Sequence, residues 1–462
     1  MQAKNCKKTV FMKKKVASIL LFLFSVITQS QAYRTNGGGE YYSFYRLSQT
    51  EGSGVTMTIK DGTKHYTLSQ NDTISAGDFF DGTESCIVYL ADNVTFVIKG
   101  KADFQTKGMA TYAALDNSQT AVGICLDNTE STPFGGCTFV GVGVKFKDKS
   151  CGELHGCTFN DNNCAIGQAA LILGDGDGEY LISHCRFQNN KKAAISSAAN
   201  IYSKMVIEHS EFLQNGTANG NTPQLNLTAS SKIVINNCNI VGDATHTMVG
   251  GIGISNFISV EDTDITISNT NVMKNRYGIG TVGPMNVRIT GNYIIDNCYE
   301  TNPMNGGSGI SLYDPYMKTC AVMTGNYIKG SLWGVTVIGC KDVNLGCLDE
   351  GEHYNRGGNV FEANGNNGQL YDLYNNSTIT VYAQNNTWNV SQQTEEQIET
   401  VIFHKNDDPS LGEVIYMPAA YTTSIAGMHT NVQNTNIYDL YGRQTKASSK
   451  GIYIVNGKKV VR

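Results

Sequence analysis

The chain has 462 residues, of which 16% are charged and 49 are glycine, and its formal net charge is −5. This balance, and the lack of a basic cluster after the N-terminal leader, argue against nucleic acid as a partner. Lys, Glu and Leu rarely fall at helical spacing, so we expect few helices.

The first 32 residues are typical of a secretory signal peptide. Three lysines at 13–15 precede an apolar stretch at 16–27 that is too short to cross a bilayer, and small residues at 30 and 32 suit a cleavage site. A retained anchor helix is the alternative. No later segment is long and apolar enough to span a membrane, so we expect an exported protein without a transmembrane segment once the signal is removed.

A short motif recurs along most of the chain: a polar or glycine residue, then usually Cys or Asn, then a spacer, then Phe or another apolar residue. Neighbouring copies end 20 to 34 residues apart. Self-similarity at such a period is typical of proteins built from stacked repeats. The copies end at Phe139, Phe159, Phe187, Phe212, Ile240, Val272, Ile294, Ile328, Phe361 and Trp388.

Each repeat contains short runs in which apolar and polar residues alternate, such as 232–236 and 264–268. Alternation predicts strands. No helical pattern follows these runs and two-residue hairpin turns are scarce, which argues against βαβ winding and against an antiparallel sandwich. We therefore predict a coil of short strands, each paired in parallel with its counterpart one turn later, and we place the first coils at 55–59, 87–90 and 94–98.

Stacked repeats place like side chains in columns inside the coil. The chain has 13 cysteines, one of them in the leader, and an exported protein with so many favours disulfides. However, four of them occupy the same slot of the repeat, which instead predicts a buried column of free thiols. The four are Cys137, Cys157, Cys185 and Cys238. Asn at the corners is expected to form side-chain ladders, and Gly to supply positive φ values.

The C-terminal end of the stack needs a cover, because an open last rung exposes unpaired backbone. Ile398, Val401 and Ile402 have helical i, i+3, i+4 spacing. We predict that this amphipathic helix and a final strand within 406–418 lie over the last rung.

The repeats, with their NNTW copy at 385–388 and the terminating DDPSLGEVIYMP at 407–418, resemble the right-handed parallel β-helix family of pectate-lyase-like architecture. The resemblance covers 55–418 and implies an all-β solenoid of about a dozen coils. This scaffold hosts lyases, hydrolases, epimerases and non-catalytic surface proteins, so it implies no single activity. The clustered Asp pairs and the Arg-x-Lys motif of the polygalacturonase branch are absent, as is the His-containing motif of the pectate lyases.

After a polar linker at 419–434, the segment 435–462 carries IYDLYGR and KGIYIVNGKKVVR. This tail resembles the C-terminal sorting domain of the type IX secretion system, which implies passage across an outer membrane with that machinery as a partner. The resemblance implies that the protein is secreted or held at the cell surface. From the residues alone, the tail is two or three short strands, and an ordinary β appendage is the alternative. Residues 33–54 are left as an N-terminal segment.

Asp175, Asp177 and Glu179 alternate along a glycine-rich segment, so in an extended chain their carboxylates face one way. Oxygen ligands on a flexible backbone suit Ca²⁺, and this is the only cofactor that the sequence suggests. A solvated acidic turn is the alternative.

Aligning Phe187 with Phe212 sets His184 over His209 and Arg186 over Glu211 on the outer surface. The two histidines and the Arg–Glu pair are our candidate catalytic residues, because together they could hold a uronate or transfer a proton. An exposed ladder with a surface salt bridge of little energetic value is the alternative.

Carbohydrate could be bound by five residues outside that group. Cationic side chains attract acidic sugars, and Tyr and Trp in long insertions of a solenoid can stack on sugar rings. A solvated corner for the lysines and loop-base packing for the aromatic residues are the alternatives. The five candidates are Lys191, Lys192, Tyr313, Tyr316 and Trp333.

We therefore expect an exported or cell-surface protein that engages polysaccharide, as a polysaccharide lyase or a glycoside hydrolase if it is an enzyme. A non-catalytic, adhesin-like surface scaffold is the alternative. The enzyme requires two or more convergent titratable groups in a groove walled by loops. The scaffold requires only outward ladders of Thr, Asn and Ser.

Overall fold

In the computed structural model, which describes residues 32–128, 130–174, 178–198, 203–257, 263–420 and four short strands between 437 and 461, the chain winds as a right-handed parallel β-helix. Each complete turn contributes one strand to each of three parallel sheets, in the order first, second and third sheet. The predicted solenoid is confirmed. No helix in the described part of the chain is long and apolar enough to cross a bilayer.

The first sheet contains the strand that opens each turn. Lys101–Ala114 and Ser131–Val140 run through the corner and serve the first and second sheets. The first-sheet strands are Tyr41–Ser43, Phe79–Asp81, the start of those two long strands, Cys151–His155, Glu179–Ser183, Lys204–Glu208, Lys232–Asn236, Asp264–Ser268, Asn286–Thr290, Cys320–Thr324, Asp342–Gly346, Val381–Ala383 and Val414–Ile415.

The second sheet follows after a corner of two residues in the turns from Cys151–His155 to Cys320–Thr324, and after longer connections at 82–85 and 347–359. Its strands are Thr63–Leu68, Cys86–Leu90, the ends of the two long strands, Thr158–Asn160, Arg186–Gln188, Glu211–Leu213, Asn239–Val241, Asn271–Met273, Tyr293–Ile295, Tyr327–Lys329 and Val360–Glu362. A short 3₁₀ helix, Leu115–Asn117, follows the first long strand.

The third sheet is reached through loops of variable length and has 13 parallel strands. They are Thr73–Ile74, Thr95–Ile98, Gly123–Leu126, Gly143–Phe146, Ala169–Leu173, Ala193–Ser197, Leu225–Thr228, Ile252–Ser255, Ile279–Val282, Ser308–Asp314, Trp333–Gly339, Leu373–Asn376 and Ile402–Phe403. A small antiparallel pair, Gly365–Asn366 with Gln369–Leu370, lies in one of the entering loops.

Columns of like side chains fill the interior, as the repeat predicts. Phe139, Phe159, Phe187 and Phe212 are directly in register, and successive rings stack with centroids 4.6, 4.7 and 5.2 Å apart. All four are buried. Burying an aromatic side chain stabilises the fold by about 1.5–3 kcal/mol, so this column is a main source of cohesion between coils.

The predicted thiol column is present over three turns, after which Ser210 takes the position on the next turn and the buried Cys238 follows on the turn after it. Cys137, Cys157 and Cys185 follow one another on successive turns and are buried, and the twelve cysteines from Cys86 to Cys347 carry free thiols. The Cys157 thiol hydrogen-bonds to Cys185 and raises the pKa of that group, and burial raises it further. Stacked side chains in a parallel ladder point the same way, which suits packing better than disulfide formation.

Asparagine ladders hold the two corners of the second sheet. At the corner that enters it, Asn326 Nδ2 donates to Asn359 Oδ1 at 2.9 Å and Asn359 Nδ2 donates to Asn386 Oδ1 at 2.9 Å. The residue before each ladder position has a positive φ, for example Gly325 at 65°. Glycine, Asn and His tolerate this left-handed conformation better than most residues, which explains their recurrence there.

The N-terminal end is closed by a helix that the sequence analysis did not predict, and the first predicted coil strand is wrong. Helix Phe44–Ser48 closes this end, with the Phe44 ring 4.9 Å from that of Phe80 and 5.3 Å from that of Phe96. Parallel pairing already begins at Tyr41–Ser43, inside the segment 33–54. Strand Val55–Lys60 is not a coil strand, because it pairs antiparallel with Thr63–Leu68 in a hairpin. The turn Asp61-Gly62 has two positive φ values, which is the geometry of a tight hairpin turn.

The C-terminal cap follows the prediction. Helix Glu395–Glu399 buries Ile398, Val401 is buried just after the helix ends, and strand Val414–Ile415 pairs with Val381 and Tyr382 of the first sheet. Ile402 belongs to a third-sheet strand and not to the helix. The cap therefore covers the last rung of the solenoid with backbone whose hydrogen-bonding groups are already paired.

The tail forms an antiparallel sheet of four strands: Ile437–Tyr438, Gln444–Thr445, Ile452–Val455 and Lys458–Val461. The small β unit expected from the sequence is present. The sequence also predicts turns at Tyr441-Gly442 and Asn456-Gly457; these residues, and residues 1–31 of the leader, lie outside the described residues. The type IX sorting function stays a prediction.

Candidate functional site

The predicted catalytic residues come together on the exposed corner between the first and second sheets. The rings of His184 and His209 stack with centroids 5.0 Å apart and 12° between their planes, and Arg186 Nη1 lies 2.8 Å from Glu211 Oε2. His155, which the sequence analysis missed, adds a third ring 5.1 Å from His184. The predicted register is thus confirmed, whereas a catalytic role stays a prediction.

The surroundings of this histidine column favour the alternative of an exposed ladder. Ser183 Oγ lies 2.8 Å from His184 Nδ1, and Asn237 Nδ2 lies 2.7 Å from His209 Nδ1. The side chains of Arg186 and Glu211 are each 46% exposed, so their salt bridge is screened by water. The column stands on a corner of the solenoid, and the side chains of His184 and His209 are exposed.

The predicted calcium site is only partly described. Asp175 and Asp177 lie outside the described residues. Glu179 is in a strand and accepts a hydrogen bond from Lys204 Nζ at 2.8 Å, which lowers the pKa of Glu179. Within the described residues no group of three or more His, Cys, Asp and Glu side chains could hold a metal ion. Glu179 is therefore committed to an ion pair on the surface.

A groove runs along the outer face of the third sheet. In its middle part the loops that enter the strands contribute Asn221, Arg276 and Gly306, and the loop that leaves Ile252–Ser255 contributes Phe257. Because the strands are in register, one outward position recurs on ten successive turns and forms the floor of the groove. These floor residues are Lys145, Ile172, Ser196, Asn226, Gly253, Gly280, Ser311, Thr336, Tyr374 and Phe403.

The middle of the groove deepens into a cavity of about 490 Å³. We call it the central cavity. Gly253, Gly280 and Ser311 form its floor, while Tyr277 on one wall and Tyr313 on the other bound it. Its remaining described lining residues are Asn221, Pro223, Asn226, Ile254, Ser255, Phe257, Arg276, Thr281, Val282, Gly306 and Ser308.

The two floor glycines make room for the Tyr277 ring. A Cβ atom on Gly280 would lie 3.0 Å from Tyr277 Cε2, and one on Gly253 would lie 3.1 Å from the Tyr277 hydroxyl and 2.8 Å from Pro223 Cγ. Both φ values are ordinary, so space is the reason for glycine at these two positions. A larger residue at either position would push the ring off the floor.

Arg276 and Tyr277 are positioned by a buried column of amides at the second corner. Asn275, the preceding residue, accepts a hydrogen bond from Gln224 Nε2 at 3.0 Å and donates to Asn297 Oδ1 at 3.1 Å. Arg276 Nη2 donates to Asn221 Oδ1 at 2.5 Å. The wall of the cavity is therefore anchored in the same ladder that holds the coils together.

The guanidinium of Arg276 lies over the Tyr277 ring, 5.1 Å from its centroid. Burial raises the pKa of Tyr277, and the nearby Arg276 charge opposes part of that rise. Tyr277 therefore keeps its proton at neutral pH.

A second cavity of about 460 Å³ lies nearer the N-terminal end of the same face. Lys145 and Lys147 line it, and Lys147 pairs with Asp127 and Asp148 at 3.5 and 3.3 Å. Lys192, a predicted sugar-binding residue, reaches its edge by donating to the Gly167 carbonyl at 3.2 Å.

The other predicted carbohydrate-binding residues are spread over this region. Tyr313 lines the central cavity and is 42% exposed, and Tyr316 is exposed on the loop that follows. Trp333 packs against Tyr371 and Tyr374, with centroids 4.8 and 4.9 Å away, so the loop-base packing given as its alternative is what the structure shows. Lys191 is exposed near the second cavity.

The sequence analysis missed Arg276, Tyr277 and Phe257. Their signal was weak: an Arg-Tyr pair just before a strand, and a single Phe just after one. Neither belongs to the repeated motif, and the cavity exists only because loops from three turns converge on it.

No protein-family model matches the sequence, and no curated protein matches it. Among solved structures, two of the periplasmic alginate epimerase AlgG, one of them a point mutant, align at 10% identity over 82% of this chain and 83% of theirs, with TM-scores of 0.49 and 0.50. A tailspike protein double mutant of E. coli bacteriophage HK620, in complex with a pentasaccharide, aligns at 14% identity over 75% of this chain and 72% of its own, with a TM-score of 0.29. The likeness to AlgG shows a shared fold.

Proposed function

We propose that this protein is an exported β-helix protein that binds an extended polysaccharide along the groove of the third sheet. The observation that carries the proposal is the central cavity, where Tyr277, Tyr313 and Phe257 surround a floor of glycine and serine. Sugar rings present apolar faces that pack on aromatic rings and hydroxyl edges that hydrogen-bond to Asn and Ser side chains. The named activity of the AlgG neighbours is on a polysaccharide, which makes a glycan the first ligand to test.

The dimensions of the groove suit a polymer. Ten in-register floor positions at about 4.8 Å per rung span about 43 Å, a length that accommodates several sugars of an extended chain. Towards the C-terminal end the floor becomes aromatic, with Tyr374 stacked on Phe403 at 4.5 Å and 6°. A polysaccharide lying parallel to the helix axis would contact both the central cavity and this aromatic end.

Binding is supported better than catalysis. Hydrolysis of a glycosidic bond ordinarily needs two carboxylates flanking the bond. The described lining of the central cavity contains no Asp, Glu or His, and its titratable groups are Arg276, Tyr277 and Tyr313. A glycan-binding protein is therefore our first choice. A purely structural scaffold has no use for a walled groove with buried polar groups.

Export rests on the leader at 1–32 and the tail at 435–462. We propose that the mature protein acts outside the cytoplasm, at the cell surface or in the medium, with type IX secretion as the predicted route. Cell fractionation of the native host with an antibody to the β-helix tests this. Retention of the full-length chain in the cytoplasm would contradict it.

The binding proposal is tested with a panel of acidic and neutral polysaccharides by affinity gel electrophoresis and calorimetry. We expect at least one polymer to bind, and Tyr313→Ala and Phe257→Ala each to weaken that binding about tenfold, because each removes an aromatic contact. Arg288→Gln, on the exposed face of the first sheet, is the matched control and should leave the affinity unchanged.

Two results would distinguish the groove from the histidine column as the binding site, and glycan binding from an enzymatic activity. Loss of binding in Arg186→Gln with normal binding in Tyr313→Ala would move the site to the histidine column. Appearance of unsaturated-uronate absorbance or of new reducing ends would show turnover and replace pure binding by an enzymatic activity. No binding to any polymer of the panel would overturn the proposal.

A further inference from the structure

We propose that Arg276 binds an anionic substituent of the glycan, either the carboxylate of a uronic acid or a sulfate ester, so that the groove selects acidic over neutral polymers. This inference rests on the proposed glycan-binding function and adds the chemical class of the ligand. The shared chemistry is a pair of anionic oxygens presented to a guanidinium.

Arg276 is buried, and no carboxylate among the described residues pairs with it. The residue is 8% exposed, its Nε has no hydrogen-bond partner within the described residues, and its other contacts are with two neutral groups, the Asn221 amide and the Tyr277 side chain. An arginine is always protonated in a protein, and burying a charge without a partner costs roughly several kcal/mol of folding free energy. A site that keeps such a charge is built to receive an anion.

The other arginines with defined partners make the contrast clear. Arg46, Arg186 and Arg288 each pair with a carboxylate, and their side chains are 46%, 46% and 64% exposed. Among the described residues no ion pair involves Arg276. It is thus both more buried and less neutralised than these three.

The side chain is held in place from several directions. The Tyr277 ring lies beneath the guanidinium at 5.1 Å, and Asn221 fixes one end of the fork. Gly306 presses its backbone against the aliphatic part, since a Cβ there would lie 3.3 Å from Arg276 Cγ. A held guanidinium can meet a carboxylate or a sulfate with two parallel hydrogen bonds at little entropic cost.

No carboxylate among the described residues of the cavity competes for this position. The described lining of the central cavity holds one cation and no carboxylate, and its other polar groups, such as Ser311 and Asn226, are neutral. Within the part of the chain that the structure describes, the cavity therefore presents a positive charge at its wall with no carboxylate facing it, and the neutral groups remain for the sugar hydroxyls. Anion recognition at one point and hydroxyl recognition elsewhere is the pattern expected for an acidic sugar.

The test compares matched polymers that differ only in charge. A polyuronate is measured against its carboxyl-reduced form, and a sulfated polysaccharide against its desulfated form, by calorimetry on the full chain. We expect wild type to bind one charged polymer at least about tenfold more tightly than its neutral counterpart, the size of a charge-assisted bidentate contact. If the polyuronate and its reduced form show this tenfold difference in affinity, the substituent is a carboxylate; if the sulfated polymer and its desulfated form show it, the substituent is a sulfate ester.

Variants then assign the ratio to Arg276. In Arg276→Gln the ratio should fall to about one while the neutral polymer still binds, and Arg276→Lys should retain part of it. Arg288→Gln, an exposed arginine, should keep the full ratio. Should Arg276→Gln fail to fold, the affinity ratio of the wild type alone still decides whether the protein distinguishes charged from neutral polymers.

The outcomes separate the two proposals. Equal binding of charged and neutral polymers by wild type overturns anion recognition and leaves glycan binding intact. A ratio that survives in Arg276→Gln overturns the assignment to Arg276. No binding to either form overturns the proposed function and this inference together.

Discussion

Asp372 Oδ2 accepts the backbone N–H of Asn389 at 2.7 Å and so ties the turn after Trp388 to the loop that enters the third sheet. Its Oδ1 accepts a hydrogen bond from Asn364 Nδ2 at 3.2 Å. The carboxyl is fully buried, and burial raises its pKa to about 7. The C-terminal cap is thus held by a group that is neutral only below that pH.

This makes stability depend on pH in a predictable direction. The pKa of Asp372 is about 7 in the folded chain, above the value of about 4 in the unfolded chain, so folded protein binds the extra proton between these values. Stability then falls as pH rises through this window. The variant Asp372→Asn keeps an acceptor and cannot ionise. Relative to this variant, we expect the unfolding free energy of wild type to fall by about 2–4 kcal/mol between about pH 4 and about pH 7.

The measurement is urea unfolding of both proteins across this range. Comparing wild type with the variant removes the contribution of the surface carboxylates, which titrate equally in both. A difference that stays flat with pH would contradict the predicted neutral carboxyl.

The asparagine ladder at the first corner should contribute strongly to stability, because its side chains are buried. Asn326 Nδ2 donates to Ile289 O at 2.8 Å and to Asn359 Oδ1 at 2.9 Å, and its Oδ1 accepts from Asn292. Asn326→Ala leaves these buried groups unpaired, and we expect a loss of about 2–4 kcal/mol in unfolding free energy. Lys232→Ala, on the exposed face of the first sheet, should change it by less than about 0.5 kcal/mol.

Substitutions of two phenylalanines should affect stability and glycan binding separately. Phe187 is buried between Phe159 and Phe212, so Phe187→Ala should cost about 3–5 kcal/mol through the cavity that it leaves. Phe257 is 78% exposed at the rim of the central cavity, so Phe257→Ala should leave the melting temperature almost unchanged and weaken glycan binding. Equal destabilisation by both would show that Phe257 is part of the core.

The repeated positions could be predicted from the sequence, and the groove could not. Phe187 and Phe212 are recognisable because the same four-residue motif surrounds both, and one shared anchor sets the register of every neighbouring side chain. Arg276 contacts Asn221, 55 residues away, across loops of unequal length. No periodicity connects those two positions, and an unpaired buried charge is visible only once the surrounding chain is in place.

The N-terminal error has a local cause. The run at Val55–Lys60 alternates like a coil strand, but Asp61-Gly62 follows it and turns the chain straight back. The two-residue Asp-Gly turn is a strong hairpin signal, and it outweighs the alternation that both arrangements share. The hairpin still presents Val55, Tyr66 and Leu68 to the core, which is why the apolar pattern alone could not distinguish the two.

The histidine column offers a final prediction about backbone strain. His184 has a φ of 53° at a corner where Gly156, one turn earlier, has 62°. A Cβ on Gly156 would meet nothing within 4 Å, so side chains at this corner project into solvent. Replacing His184 by glycine relieves the strain of the left-handed backbone but increases the conformational entropy of the unfolded chain. Because these effects oppose each other, the unfolding free energy of His184→Gly should stay within about 0.5 kcal/mol of that of wild type.

A β-branched residue cannot accept the same backbone. His184→Val should therefore lose about 1–2 kcal/mol, measured by urea unfolding beside His184→Gly. Glycan binding should be normal in His184→Gly, because the groove lies on the third sheet and not at this corner. If binding were lost in His184→Gly while stability held, the imidazole itself would be contacting the sugar, and the histidine column would displace the groove as the functional site.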